Sequence, residues 1–184
     1  STLMRSSAAS DVYKRQTYTS AQANKLLKKL NDEHAALLDK ENRSKDFRAA
    51  MGEDVESVRP AYDYTDTQKK LAELEQRIRK VKHAINMFNA THVIPDFNMT
   101  IDEMLVYIPQ LTQRKNKLAD MKARLPKQRV EEQYGRQSNI IDYSYANYDL
   151  TAVEADYEKV SDELSRAQLA LDAVNQRDTF ELAE

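Results

Sequence analysis

The sequence predicts a mainly α protein, an antiparallel four-helix, coiled-coil-like bundle with a small two-stranded β element. Only 2 glycines and 4 prolines interrupt the 184 residues, and 32% of the residues are charged, a composition that favours long helices. Apolar residues recur at helical spacing in four segments. Each segment begins near a threonine that is followed three residues later by glutamine or glutamate, the pattern of a helix N-terminal capping box. The four pairs are Thr19 with Gln22, Thr65 with Gln68, Thr100 with Glu103, and Thr151 with Glu154.

The first two helices are predicted over residues 20–51 and 66–89. Gly52 is expected to end the first helix, because glycine adopts the left-handed conformation that often follows a helix. The second helix carries an unbroken heptad seam, in which apolar residues are spaced alternately three and four apart. This seam consists of Leu71, Leu74, Ile78, Val81, Ile85 and Phe88.

The last two helices are predicted over residues 101–125 and 152–178. Pro109 lies inside the third helix, where it removes a backbone donor and is expected to cause a bend. A connector around Pro95 is predicted before this helix, and Pro126 is expected to end it. The fourth helix again has heptad spacing, in Val153, Tyr157, Val160, Leu164, Ala167, Leu171 and Val174.

A short strand is predicted before the last helix, because residues 140–148 alternate between apolar and polar side chains. A single strand needs a partner. The expected partner is the connector at residues 55–64, which lies at the same end of an antiparallel bundle. The polar stretch at 127–139 is predicted to be a loop.

The first 16 residues resemble a translated sequencing adapter. We therefore expect residues 1–16 to be a non-native or disordered leader, and residues 17–184 to form a single helical domain.

The composition argues against several classes of protein. The net charge of −2 gives no general attraction to polyanions, and the absence of cysteine excludes disulfides and thiolate nucleophiles. No apolar stretch approaches the ~20 residues that span a bilayer, and the N-terminus lacks a secretory signal. We expect a cytoplasmic protein without a membrane partner.

No catalytic motif is present in the sequence. The three histidines have no metal-ligand spacing, and there is neither a glycine-rich phosphate loop nor a Gly-x-Ser-x-Gly elbow. We therefore predict that the chain is not an enzyme and needs neither a metal nor a cofactor.

One cluster of polar residues lies near the end of the second helix. Asn86, Asn89, Thr91 and His92 are candidates for a small polar pocket. The favoured alternative is that Asn89 caps the helix in a left-handed conformation and Asn86 bonds locally.

A basic stripe on the second and third helices is the other candidate site. With nearby tyrosines, it could bind phosphates and stack bases. The favoured alternative is that the acidic fourth helix pairs with these cations inside the bundle. The candidate residues are Lys80, Lys82, Arg114, Lys115, Lys117, Lys122 and Arg124.

The sequence favours a non-enzymatic protein that acts through protein–protein association, with itself in the first place. The heptad seams and the free edge of the tyrosine-rich strand support this hypothesis. A monomer that buries its own seams is the open alternative, and nucleic-acid binding is the second function considered.

The region 68–180 resembles a septicolysin-like family of bacterial helical proteins. Four motifs carry the resemblance: Ile85-Asn86-x-x-Asn89-x-Thr91, Thr100-Ile101-Asp102-Glu103, Ile140-Ile141-Asp142-Tyr143 and Leu171-Asp172-x-x-Asn175. The resemblance implies long antiparallel helices with a small extended element. It implies no catalytic residues, and the chain lacks an apolar hairpin that would support a pore.

Overall fold

The computed structural model describes residues 15–130 and 141–183, which form a mainly α fold with three small antiparallel strand pairs. This confirms the prediction of a mainly α fold with a small β element. The helices are α1 (Ser20–Ser44), α2 (Val55–Val58), α3 (Tyr64–Thr91), α4 (Ile101–Lys122) and α5 (Leu150–Arg177). The strands are β1 (Arg15–Thr19), β2 (Val93–Ile94), β3 (Met99–Thr100), β4 (Lys127–Arg129), β5 (Tyr143–Tyr145) and β6 (Thr179–Ala183).

Two of the four predicted capping boxes are confirmed. At the start of α1, Thr19 Oγ1 accepts a hydrogen bond from the Gln22 amide at 3.2 Å, and Gln22 Oε1 accepts one from the Thr19 amide at 3.0 Å. Thr100 and Glu103 make the same reciprocal pair at the start of α4. Each box satisfies two amides that the helix leaves without partners.

The other two long helices begin earlier than predicted, because an aspartate replaces the expected threonine as the cap. The Asp63 carboxylate accepts from the Asp66 amide at 2.9 Å, and the Asp149 carboxylate accepts from the Thr151 amide at 2.9 Å. Aspartate is a better cap than threonine, and its negative charge is favourable at a helix N-terminus. The predicted caps at Thr65 and Thr151 are therefore wrong.

The first compact unit contains the described residues 15–89 and 174–183. Within it, α1 and α3 run antiparallel: Glu41 bonds to Gln68, while His34, seven residues earlier, lies 3.3 Å from Glu75. Strand β1 pairs with β6, and Phe180 of β6 stacks on Phe88 at a centroid distance of 4.7 Å. The core of this unit contains Ala23, Leu30, Val81, Ile85 and Leu182.

The second compact unit contains the described part of residues 90–173. A hairpin of β2 and β3 precedes α4, and α4 packs antiparallel to α5. Tyr107 donates to Glu163 at 2.5 Å near one end of this pair, and Tyr148, just before α5, donates to the Met121 carbonyl at 2.9 Å near the other. The buried apolar side chains are Ile94, Ile101, Met104, Leu111, Leu118, Val153, Val160, Leu164 and Ala167.

Helix α1 ends at Ser44, seven residues before the predicted end at Met51. The last six residues of the helix, 39–44, are all polar, and Met51, which the prediction placed on the inner stripe, is fully exposed, so little burial stabilises a longer helix. Gly52 has the expected positive φ of 87°, but it lies in a turn rather than at a helix end.

The predicted strand within 140–148 is present as β5, but its predicted partner is wrong. Strand β5 pairs with β4, which lies in the stretch that was predicted to be a loop. The segment 55–64 instead contains the short helix α2. Pairing with β4 closes a much shorter loop, which costs less chain entropy.

The predicted leader lies mostly outside the described residues, since the description begins at Arg15. Arg15 and Gln16 are the first two residues of β1. In the described part of the chain, no helix is long and apolar enough to cross a membrane.

Candidate interaction surface

The most distinctive surface of the second unit is a two-stranded ribbon, which we call the arm. It consists of residues 126–130 and 142–146. Lys127 lies opposite Tyr145, Gln128 opposite Ser144, and Arg129 opposite Tyr143. The residues of both strands are exposed.

The hydrogen bonds of the arm determine which backbone groups remain free for a partner. The Val130 amide donates to the Asp142 carbonyl at 3.0 Å, and the Ala146 amide donates to the Pro126 carbonyl at 3.1 Å. Hydrogen-bonded pairs alternate with non-bonded pairs in an antiparallel ladder. The backbone groups of Tyr143 and Tyr145 therefore point away from β4, toward the other edge of β5. We call this edge open because no strand within residues 15–130 and 141–183 pairs with it.

Side chains alternate across the arm and give it two different faces. One face, which we call the basic–aromatic face, carries Lys127, Arg129, Tyr143 and Tyr145. The Lys127 ammonium lies 4.1 Å from the ring centroid of Tyr143 and 5.5 Å from that of Tyr145. A cation–π contact at such an exposed site contributes about 0.5–1 kcal/mol.

The opposite face of the arm covers a shallow cleft of about 280 Å³ at the end of the helix pair. Its lining is mixed in polarity, and Tyr148 closes it by its hydrogen bond to the Met121 carbonyl. Among the described residues that line it, the titratable side chains are Arg124, Tyr145 and Tyr148. Tyr145 of the basic–aromatic face also contributes to the lining, which consists of Met121, Arg124, Leu125, Gln128, Ser144, Tyr145, Ala146 and Tyr148.

Ion pairs between α4 and α5 support the base of the arm. Lys122 Nζ lies 3.1 Å from Glu154 and 3.7 Å from Glu158, and it also lies 5.0 Å from the ring centroid of Tyr157. The hydrogen bond to Glu154 raises the pKa of Lys122. These contacts hold the C-terminal end of α4, from which the arm extends, against the N-terminal half of α5.

Five large exposed apolar side chains lie on the arm and its flanks. Tyr145 is 63% exposed, and Leu125, at the end of α4, is 61% exposed. Large exposed apolar surfaces mark interaction sites more often than scattered single residues do. The exposed apolar side chains here are Leu125, Val130, Ile141, Tyr143 and Tyr145.

The predicted polar cluster does not form a helix cap. Asn89 lies inside α3, which continues to Thr91, so the alternative of a left-handed cap at Asn89 is wrong. Asn86 and Thr91 are exposed, while Asn89 and His92 are half-buried. Asn86 and Asn89 belong to the first unit, and Thr91 and His92 belong to the second.

The predicted basic patch is divided between the two units. Lys80 and Lys82 are exposed on α3 in the first unit. The other members, Arg114, Lys115, Lys117, Lys122 and Arg124, lie on α4 or just after it in the second unit. Lys122 makes the pairs with acids of α5 that the bundle-internal alternative expects. Lys115 lies 5.9 Å from the ring centroid of Tyr157, also on α5.

A second polar arrangement joins the two helices of the first unit. The Glu41 carboxylate accepts from Tyr62 Oη at 2.6 Å and from Gln68 Nε2 at 2.7 Å, beside a cleft of about 380 Å³. The hydrogen bond to Glu41 raises the pKa of Tyr62 to about 12. Because Tyr62 and Gln68 both donate to the same carboxylate, these hydrogen bonds hold the 45–63 segment against α1 and α3.

No group of three or more metal-ligating side chains comes together within residues 15–130 and 141–183. The arm is not predicted from the sequence, because the stretch that contains β4 is predicted to be a loop. Lys127 and Arg129 alternate with polar residues in the same way as Tyr143 and Tyr145 do, but segments of three residues are too short for this spacing to predict strands.

Comparisons with known proteins support the fold alone. No family model and no curated protein matches the chain. A solved structure, described as a functionally unknown conserved protein from Corynebacterium diphtheriae, is similar with a TM-score of 0.54 and 17% identity. The match covers 91% of this chain and 99% of that one. The septicolysin-like resemblance remains a prediction.

Proposed function

We propose that the chain is a non-enzymatic protein that acts by associating with a second copy of itself through strand β5. The observation that carries the proposal is the open edge of β5, where Tyr143 and Tyr145 direct their backbone donors and acceptors outward. An unpaired edge is a template for another strand. The surrounding exposed apolar side chains add area that association would bury.

The charges on the arm favour β5 over β4 as the associating edge. Strand β4 carries Lys127 and Arg129, so pairing of two β4 strands would place cations opposite each other, which is destabilising. Lysine on an edge is a common protection against such pairing. Strand β5 has the sequence Tyr-Ser-Tyr and carries no charge.

One register satisfies the outward groups of β5 best. If the two-fold axis passes beside Ser144, Tyr143 of one copy lies opposite Tyr145 of the other. Both residues direct their backbone groups outward, so the two copies make about four backbone hydrogen bonds. Registers centred on either tyrosine satisfy about half as many within the strand. The result is a closed, symmetric, four-stranded sheet, ordered β4, β5, β5, β4.

The expected association is weak. Each backbone hydrogen bond contributes about 0.5–1.5 kcal/mol net. Burial of exposed apolar surface beside the edge adds to this, while the loss of translational and rotational freedom opposes it by about 4–15 kcal/mol. We therefore expect a dissociation constant of roughly micromolar to millimolar. Association should be visible only as the protein concentration rises.

A charge exchange at Ser144 tests both the association and its register. Ser144 lies on the proposed axis, where paired Cα atoms are only ~4.5 Å apart, so like charges at this position oppose each other directly. Ser144→Glu and Ser144→Lys should each remain monomeric at concentrations where the wild-type chain dimerises. An equimolar mixture of the two variants should recover a mass of two copies in light scattering.

The control is Ser165→Glu, which places the same charge at an exposed position on α5 and should dimerise like the wild type. A strictly monomeric wild type up to millimolar concentration would contradict the proposal. So would a dimer that neither charged variant disrupts. A mass that keeps growing beyond two copies would indicate head-to-tail pairing of β4 with β5, and it would overturn the symmetric register.

A further inference from the structure

The basic–aromatic face of the arm is a different surface from the edge of β5 and belongs to each copy separately. Its two rings, Tyr143 and Tyr145, are two residues apart on the same side of one strand. At ~3.4 Å per residue, their attachment points are about 6.8 Å apart. Both side chains are about half exposed or more, at 46% and 63%. The rings are therefore accessible from solvent.

This spacing matches separated bases rather than stacked ones. Bases of a duplex are ~3.4 Å apart along each strand, and their ring faces are covered by their neighbours. Two rings at about twice that distance suit bases that have been spread apart, as happens in single strands bound to aromatic platforms. Geometry alone thus favours a single strand over a duplex.

The cations of the basic–aromatic face lie close enough to the two rings to contact the phosphates of a strand whose bases stack there. Lys127 Nζ lies over both rings, 4.1 Å from the centroid of Tyr143 and 5.5 Å from that of Tyr145. An exposed cation–π contact is weaker than the stacking of a base on an aromatic ring. A base can therefore displace the ammonium, which is then available to contact a phosphate.

The charge of the face itself favours an anionic ligand, although the whole chain has a net charge of −2 and the segment 126–146 has three basic and three acidic residues. Arg129 lies on the same face, opposite Tyr143, and Arg124 is exposed near the base of the arm. Asp142 is the one acidic residue of the arm, and the alternation of the strand places it on the other face. Among the described residues of the arm, the basic–aromatic face therefore carries no negative charge.

We propose that this face binds single-stranded nucleic acid, with Tyr143 and Tyr145 stacking on bases and Lys127 and Arg129 contacting phosphates. The site differs from the predicted basic patch on the helices. It also does not depend on association, since one copy carries all four side chains.

Fluorescence anisotropy with labelled oligonucleotides tests the proposal. The probes are oligouridylate RNA, oligothymidylate DNA and a DNA duplex, each about 16 nucleotides long to match the largest site sizes of small single-strand binders. Protein concentrations stay below those at which the mass of the wild type rises. The single strands should bind at low salt and the duplex much more weakly. The affinities for the RNA and the DNA strand show which of the two is bound more tightly.

Substitutions on the basic–aromatic face test which of its residues bind the single strand. Tyr145→Leu and Tyr143→Leu should each weaken binding about 5- to 100-fold, since a stacked base is lost. Tyr145→Phe keeps the ring and should bind like the wild type, which separates lost stacking from a disturbed arm. The double variant Lys127→Gln with Arg129→Gln should reduce the slope of log affinity against log salt by about 1.4.

The matched control is the double variant Lys80→Gln with Lys82→Gln, which removes two exposed cations of α3. It should change neither the affinity nor the salt slope. No single-strand binding at low salt would overturn the proposal. Equal binding of the duplex would overturn it too, as would a loss of affinity in the α3 variant with none in the tyrosine variants. These results are independent of the Ser144 experiment, so the two proposals can fail separately.

Discussion

Replacing Leu164 by alanine tests whether the apolar stripe of α5, which contains Val153, Val160, Leu164 and Ala167, is buried. Leu164 is 7% exposed, and the substitution removes three carbon atoms. At about 0.8 kcal/mol per buried carbon, the loss of burial alone amounts to about 2.4 kcal/mol. The cavity left behind adds to this, so we expect the free energy of unfolding to fall by about 3–4 kcal/mol, within the range of ~2–5 kcal/mol known for such changes.

Leu169 provides a matched control on the same helix. It is 70% exposed, so the same substitution loses only about a third of the burial energy, or about 0.7 kcal/mol. Alanine is also a slightly better helix former than leucine, which reduces the net loss to about 0.5 kcal/mol. Both variants can be compared with the wild type by urea denaturation followed by far-ultraviolet circular dichroism, at concentrations where the chain is a single copy. Equal losses for the two variants would refute the assignment of the stripe, as would a loss below about 0.5 kcal/mol for Leu164→Ala.

Two further predictions concern the first unit. Asp63→Ala should lower the free energy of unfolding by about 1 kcal/mol because it removes the cap of α3. Thr65→Ala should change it by less than about 0.5 kcal/mol. If urea denaturation shows a larger loss for Thr65→Ala than for Asp63→Ala, the threonine is the cap. Tyr62 has a pKa of about 12 in the folded chain and about 10 when unfolded, so the unfolded chain loses this proton first and stability falls as the pH rises between those values. Urea denaturation at about pH 9 and about pH 11 should show this fall, and Tyr62→Phe should reduce it; an unchanged pH dependence in that variant would show that Glu41 does not hold the phenol.

The sequence was informative where one physical effect dominated. The seam from Leu71 to Phe88 was predicted because heptad spacing and burial agree, and its residues are buried or half-buried in the structure. No aspartate or asparagine lies two residues before Thr19, and Asn98, two residues before Thr100, has a positive φ of 50° rather than the extended conformation of an N-cap. At Asp63 and Asp149, by contrast, a stronger cap lies two residues before the predicted threonine and begins the helix earlier.

The parts that could not be predicted depend on contacts distant in sequence or on very short elements. The burial of Leu182, at 1% exposure, follows from pairing of β6 with β1, two strands at opposite ends of the described chain. No local pattern specifies that pairing. The strands of the arm are three residues each, too short for periodicity to separate them from a polar loop. The candidate surface was therefore visible in the sequence only as separate tyrosines and cations.

Amide hydrogen exchange at the edge of β5, measured over a range of protein concentrations, tests the central proposal most directly. The amides of Tyr143 and Tyr145 point to the open edge, whereas the amide of Ser144 faces β4. We predict that protection of the two tyrosine amides rises with concentration while that of Ser144 stays constant. If the tyrosine amides exchange at the same rapid rate at every concentration, strand β5 does not pair with a second copy.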